Sequence, residues 1–398
     1  MPTLSQRAES MPASPLRKLA NAAVQREKDG VKVFYLNIGQ PDLKTPEEFF
    51  DGLQLFAENP VAYAHSQGVS ETIDAWRGFY KDTLNVDLEH DEVMVTTGGS
   101  EALIFAMAAL GDPGDNMIVF EPFYTNYNGF GKLGGVSMKP VTLSIENNFH
   151  LPSDEEIEAA IDDKTRALVV CNPSNPTGTV YTREELKRLV DIAIKHDLFI
   201  ISDEVYREFV FEGEVISLMS FPEAADRVVM IDSASKRFNS CGVRIGILAS
   251  RNKDVITSAV KFGMARLSVA TIEQRALIPV LENAAKLIPP VVEEYKKRRD
   301  VVHEGLQAID GVVAAKPEGA FYIICGLPVD DSEKFAKWMI EEFAHQNETL
   351  LVAPAPGFYA TQGKGTKEIR LAYVLNTEKL QRALELLKLA IEEYNSKN

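Results

Sequence analysis

Cysteine is nearly absent. Only Cys171, Cys241 and Cys325 occur in 398 residues, an odd number at wide spacings, which excludes a disulfide-stapled fold and suits a reducing compartment. Long apolar runs are missing too: the longest, 102–110, falls far short of the ~20 residues a membrane-spanning helix needs. Positive charge is in deficit, with 42 Lys and Arg against 58 Asp and Glu and a net charge of −16. That balance repels phosphate backbones and anionic lipid surfaces, so neither nucleic acid nor membrane is an expected partner. The six histidines form no cluster with cysteine at metal-ligand spacing, and no catalytic metal is expected. Residues 1–20, broken by Pro2, Pro12 and Pro15, contain no apolar stretch of the kind a targeting segment carries, so the expected location is cytoplasmic. Internal repeats and low-complexity segments are absent as well.

What is present is ordinary globular material: 45% hydrophobic and 25% charged residues. The length exceeds the span of one hydrophobic core and predicts two domains. A helix is expected from Ser14, capped by it, with Pro15 at its first position and Gly30 at its end. A short extended stretch follows at 33–38, and a helix at 72–84 carries Ile73, Trp76, Phe79 and Tyr80 on one face. From 93 onwards, short unbroken apolar runs (93–97, 117–120, 167–171, 198–202, 228–231 and 245–249) alternate with helix-like stretches (100–110, 154–161, 182–196). Continuous β-branched runs signify strands buried on both faces, and the alternation signifies a mostly parallel α/β sheet. After Pro289-Pro290 an amphipathic helix at 291–309 is expected to bridge to a C-terminal α+β layer of strands 312–315, 321–325, 350–352 and 369–374 with helices 332–345 and 377–395. The expected division is an N-terminal arm with part of a small domain (1–45), a large α/β domain (46–285), and a linking helix with the small α+β domain (286–398).

Ligands of an open parallel sheet bind beyond the carboxyl ends of its strands. Those ends are unusually rich here: Gly98-Gly99-Ser100-Glu101, Glu121-Pro122-Phe123-Tyr124, Asn172-Pro173-Ser174-Asn175-Pro176-Thr177-Gly178, Ser202-Asp203-Glu204-Val205-Tyr206 and Ser233-Ala234-Ser235-Lys236. One polar strand end is common, and five on one edge indicate a site. Bare N–H groups at Gly98-Gly99-Ser100, opening a helix, favour an anion, although alone the motif reads as readily as a plain turn with a serine cap. Asp203, after an apolar strand, needs a cation or donor if buried; alone it is equally a helix cap. Tyr206 lies on its side if the segment is helical, where simple core packing is the alternative. Lys236 at a strand end becomes desolvated, which lowers its pKa and makes its amine a nucleophile toward aldehydes; a lysine taken at random is solvated. Arg244, in Cys241-Gly242-Val243-Arg244-Ile245-Gly246, adds a fork of donors for phosphate.

In order and spacing these segments, from Asn37-Ile38-Gly39-Gln40-Pro41-Asp42 to Ile369-Arg370-Leu371, resemble the aspartate aminotransferase family of class I/II, fold-type I pyridoxal-phosphate enzymes. The resemblance implies a large domain with a mostly parallel sheet sandwiched by helices, a smaller α+β domain, and pyridoxal 5′-phosphate as cofactor. It implies Lys236 as the Schiff-base lysine and proton shuttle, Asp203 against the pyridine nitrogen, and Asn175 and Tyr206 on the ring's phenolic oxygen. Tyr124 would stack on the ring, and Gly99, Ser100, Ser233, Ser235 and Arg244 would hold the phosphate. Arg370 would clamp the substrate α-carboxylate, with Gly39 against it. Tyr63 would reach the neighbouring subunit's phosphate site, making a homodimer with shared active sites. Cis prolyl bonds are expected at Glu121-Pro122 and Asn175-Pro176. Arg266, in Gly263-Met264-Ala265-Arg266-Leu267-Ser268, falls near the segment where dicarboxylate-specific members carry a second, partner-subunit arginine; it binds a distal carboxylate on one reading and is a plain ion-paired arginine on the other.

The activity so implied is ping-pong transfer of an amino group between an L-amino acid, aspartate first, and a 2-oxo acid such as 2-oxoglutarate. Alternatives on the same scaffold are an alanine or aromatic aminotransferase, a carbon–sulfur β-lyase or a cyclopropane-forming synthase, because the Lys, Asp and Tyr set is common to all. A non-enzymatic regulator built on the domain is disfavoured by the acidic charge and by the absence of a helix-turn-helix pattern in the first ~30 residues.

Overall fold

The computed structural model describes residues 2–12 and 15–397. In chain order its strands are β1 (Lys32–Tyr35), β2 (Val93–Thr96), β3 (Asn116–Glu121), β4 (Ser137–Thr142), β5 (Thr165–Cys171), β6 (Phe199–Asp203) and β7 (Val228–Ser233). There follow β8 (Gly246–Ala249), β9 (Val313–Ala314), β10 (Tyr322–Gly326), β11 (Glu348–Leu351), β12 (Ala353–Pro354) and β13 (Glu368–Ala372).

Seven strands form one sheet in the order β2-β8-β7-β6-β5-β3-β4, parallel except for β8, which runs antiparallel to both its neighbours. Helices cover both faces, which is why the strands read as unbroken apolar runs. Ile118, Leu168, Ile200 and Met230 join Trp76 and Leu189 in one core, while Met117, Val169, Ile201 and Val229 join Leu103 and Ala106 on the opposite face. All six runs read as strands are strands. β4 was not expected: it is an edge strand whose Pro140 lacks an N–H donor, and pairing with β3 on one side only tolerates this. The helix Arg183–Lys195 starts at a capping box in which the Thr182 hydroxyl accepts from Glu185 N–H and the Glu185 carboxylate accepts from Thr182 N–H.

The C-terminal part builds a four-stranded antiparallel sheet, β12-β13-β10-β9. β1 pairs parallel with β11, Val33 opposite Thr349, so the N-terminal segment joins this layer. Phe34 and Leu36 pack there with Phe321, Ile369, Leu371 and Leu387. Two expectations need correction. The helix expected at 291–309 runs from Ala284 to Gln307 and contains Pro289 and Pro290. Each proline removes its own N–H from the ladder and crowds the carbonyl four residues back, but burial of Ala284 and Ile288 before the pair and of Tyr295, Val302 and Leu306 after it carries the helix through. The single helix expected up to Gly30 is instead a 3-10 turn, Pro15–Arg17, followed by the helix Ala20–Lys28, with Gly30 at φ +87° just beyond. The expected cap at Ser14 lies outside the described residues.

Candidate active site

The carboxyl ends of β5, β6 and β7 and the turns after β2 and β3 open on one cavity, which β13 and the segment after β1 also reach. Its lining includes Gly39, Gly99, Ser100, Tyr124, Asn175, Asp203, Tyr206, Ser233, Ser235, Lys236, Arg244 and Arg370. Twelve residues singled out from scattered parts of the sequence thus meet in one place.

Lys236 is partly buried, and its Nζ donates to the carbonyl of Gly39 at 2.9 Å. Burial lowers its pKa, and the nearby cations Arg370 and Arg244 press in the same direction. Its segment is held rigidly. Asp232, fully buried, accepts from Arg237 at 2.6 and 2.8 Å and from Tyr80 at 2.7 Å, with Arg207 at 3.1 Å. The residue after Lys236 is therefore locked into an ionic network beneath the cavity.

Asp203 is 3% exposed. Burial pushes its carboxyl up to about 6, against the Tyr127 hydroxyl, which donates at 2.6 Å and favours the ionised form. Among the described residues no Lys, Arg or His pairs with it. Tyr127, the first residue of the helix Tyr127–Gly134, was not anticipated; it lies three residues beyond Tyr124, against which its ring packs edge-on with centres 5.6 Å apart.

The turn after β2 is open for want of side chains. Gly98 stands at φ +70°, and a Cβ there would lie 2.4 Å from Nη2 of Arg244. Gly99 and Ser100 begin the helix Gly98–Leu110, so backbone donors, the helix N-terminus and a guanidinium face one spot, suited to an anion. Ser233 and Ser235 share a hydroxyl hydrogen bond at 2.8 Å beside it.

Arg370 is 1% exposed. It donates to the Asn175 side-chain oxygen at 3.0 Å and to the Asn37 carbonyl at 2.5 Å, and it lies 4.5 and 4.9 Å from the ring centres of Tyr322 and Phe358. Its Nε has no partner, and among the described residues no carboxylate pairs with it. Burial lowers its pKa. Tyr322, also not anticipated, bonds the Tyr206 hydroxyl at 2.9 Å and fills the space where a Cβ on Gly39 would fall. The signal was weak in both cases: Tyr322 lies in an apolar run, where a tyrosine reads as core, and Tyr127 lies in a Thr-Asn-Tyr-Asn-Gly stretch that reads as a turn.

Tyr63 and Arg266 do not line this cavity. Tyr63 is 81% exposed on the loop that precedes the helix Ser70–Leu84. Arg266 grips Glu101 through Nε at 2.9 and 3.0 Å and donates to the Val95 carbonyl, so binding a substrate carboxylate would require it to leave this pair. The prolyl expectation is half corrected: Glu121-Pro122 is cis, but the other cis bond of the site region is Asn172-Pro173, and Asn175-Pro176 is trans. Asn172 caps that bend by accepting from Tyr181 N–H, whereas the Asn175 side chain is engaged by Arg370.

The family model described as aminotransferase class I and II matches residues 31–387. A protein of Thermus aquaticus named probable aspartate/prephenate aminotransferase is 32% identical over 394 residues, covering 98% of this chain and 99% of its own. The solved structure of Thermus thermophilus aspartate aminotransferase with maleate superposes with a TM-score of 0.89 at 30% identity, over 98% of this chain and 100% of that one. An alanine aminotransferase from Pyrococcus furiosus gives 0.90 at 29% identity, again over 98% and 100%.

Proposed function

Because the chain belongs to the class I and II aminotransferases, we propose that it moves an amino group between an L-amino acid, aspartate first, and a 2-oxo acid such as 2-oxoglutarate, using pyridoxal 5′-phosphate. One observation carries the reading. The same cavity holds a buried carboxylate without a cation, Asp203, and a buried cation without a carboxylate, Arg370, together with a desolvated amine, Lys236. Buried charges need partners. A protonated ring nitrogen answers the first and a substrate α-carboxylate the second.

The residues fit the cofactor. Gly99, Ser100, Ser233, Ser235 and Arg244 would take its phosphate, Tyr124 its ring face, and Tyr206 with the free amide of Asn175 its phenolic oxygen. Once bound, the cofactor supplies an aldehyde for the amine to condense with and a ring that withdraws electrons from the substrate Cα. Asp203 keeps the proton on the ring nitrogen. Lys236, its pKa lowered by burial, gives up and takes back a proton at Nζ, which fits it to carry the Cα proton. Arg370 and Gly39 orient the substrate through its carboxylate.

Tyr63, with Leu55 and Val61 exposed on the same loop, supports a homodimer in which a second copy completes each phosphate site. The separate apolar cores support a large domain near 46–285 and a small one from 1–45 and 286–398. No helix among the described residues is long and apolar enough to cross a membrane; the sparse cysteines and acidic charge support a cytoplasmic location.

The test is a panel of amino donors with 2-oxoglutarate as acceptor. Glutamate should form with a matching 2-oxo acid, and Lys236→Ala should abolish it. Ammonia release without glutamate would replace the reading with a lyase.

A further inference from the structure

Among the described residues four cations line the cavity: Arg17, Lys236, Arg244 and Arg370. The proposed function uses three of them. The cofactor phosphate answers Arg244, the α-carboxylate answers Arg370, and Lys236 is the reacting amine. Arg17 is left over, and so is whatever anion it faces.

Arg17 is brought to the cavity by a fixed turn. Pro15 packs against Gly357 so closely that a Cβ there would meet its ring at 2.5 Å. Lys18 is committed to Glu333 at 2.8 Å, and Leu19 packs on both neighbouring cores. Arg17 itself is exposed. Among the described residues it forms no ion pair and no side-chain hydrogen bond, and the only carboxylate lining the cavity is Asp203, which the ring nitrogen claims. Arg266, the other arginine considered for a distal carboxylate, is held by Glu101.

We infer that Arg17 binds the side-chain carboxylate of a dicarboxylic substrate and so sets the preference for acidic over neutral amino donors; this rests on the aminotransferase reading above. The guanidinium offers a planar fork that matches a carboxylate. A substrate with two carboxylates approaching a chain of net charge −16 needs a second local cation, and Arg17 is the one without another duty. Ile38 and Asn126, which also line the cavity, carry no charge. An uncharged donor leaves Arg17 in water and gains nothing from it.

The test compares Arg17→Ala and Arg17→Lys with the wild-type cofactor-loaded enzyme. The ratio of kcat/KM for aspartate to that for alanine should fall roughly 10- to 100-fold in Arg17→Ala, the effect of one hydrogen-bonded charge pair, and recover in part in Arg17→Lys. Calorimetric binding of succinate against propionate gives a readout without turnover: succinate should bind more tightly to the wild type, and the difference should shrink in Arg17→Ala. An unchanged aspartate-to-alanine ratio, or equal losses of succinate and propionate, would overturn the assignment. Failure of the wild type to transaminate any donor would instead defeat the aminotransferase reading, while the succinate comparison would still judge Arg17.

Discussion

Asp203→Asn should make the cofactor-free protein more stable and the enzyme worse. The folded chain holds the Asp203 carboxyl at about 6 against an ordinary value of 3.8, chiefly because burial strips its water. Between those two values the folded chain keeps a proton that the unfolded chain has lost. Stability therefore falls as pH rises through this window, and the full penalty stands above about 6. The gap corresponds to ~3 kcal/mol at neutral pH and above. Asparagine has the same shape, still accepts from Tyr127, and carries no charge to bury. Because the Tyr127 bond weakens when its acceptor becomes neutral, the expected gain at pH 8 is smaller, ~1–3 kcal/mol. The gain should shrink to a small fraction near pH 4, where the folded wild type is protonated and the unfolded chain is about half so. Guanidinium unfolding of the two cofactor-free proteins at pH 4, 6 and 8 measures it directly. In the same variant, affinity for pyridoxal phosphate and turnover should drop, since the ring nitrogen loses its counter-charge. If Asp203→Asn is no more stable than the wild type at pH 8, or if the difference does not change with pH, the carboxylate is not the unpaired buried charge described above.

Arg370→Lys should lower kcat/KM roughly 100- to 1,000-fold for every amino donor alike, because an ammonium cannot reproduce the two-pronged grip or stack between Tyr322 and Phe358; steady-state kinetics with aspartate and alanine check this, and a loss confined to one donor would contradict it. Gly39→Ala would place a methyl 1.8 Å from the Tyr322 hydroxyl and must displace it from Tyr206, so activity should fall roughly tenfold or more while the melting temperature drops by only a few degrees.

Much of the site was legible because strand-end residues carry their meaning locally. An apolar run followed by Asp203 or by Ser233-Ala234-Ser235-Lys236 needs no distant information to be read as a strand delivering a polar group to an edge. Tyr127 and Tyr322 were missed for the opposite reason: Tyr322 sits in an apolar run and Tyr127 in a polar turn-like stretch, and neither pattern tells what the hydroxyl meets until the tertiary structure shows it. Arg17 depends on the β1–β11 pairing, which folds the N-terminal segment onto a layer more than 300 residues later, and no local pattern announces that. The two Asn-Pro pairs at 172 and 175 are the same dipeptide, so sequence could not say which one bends. The Pro289-Pro290 pair misled because proline is a breaker on average, while a well-buried helix absorbs it.

Arg370 also bears on how so small a substrate is held at all. Its side chain is fixed by two hydrogen bonds and two aromatic rings before anything binds. The rotamer entropy of a long guanidinium is lost when the chain folds rather than when the substrate arrives. An amino acid of a few carbons has little surface with which to offset such a loss, and here it meets none. Recognition of the part common to all amino acids is therefore stiff. Selectivity is left to the Arg17 end of the cavity, where changing a single exposed side chain alters which substrates enter without disturbing how they are held.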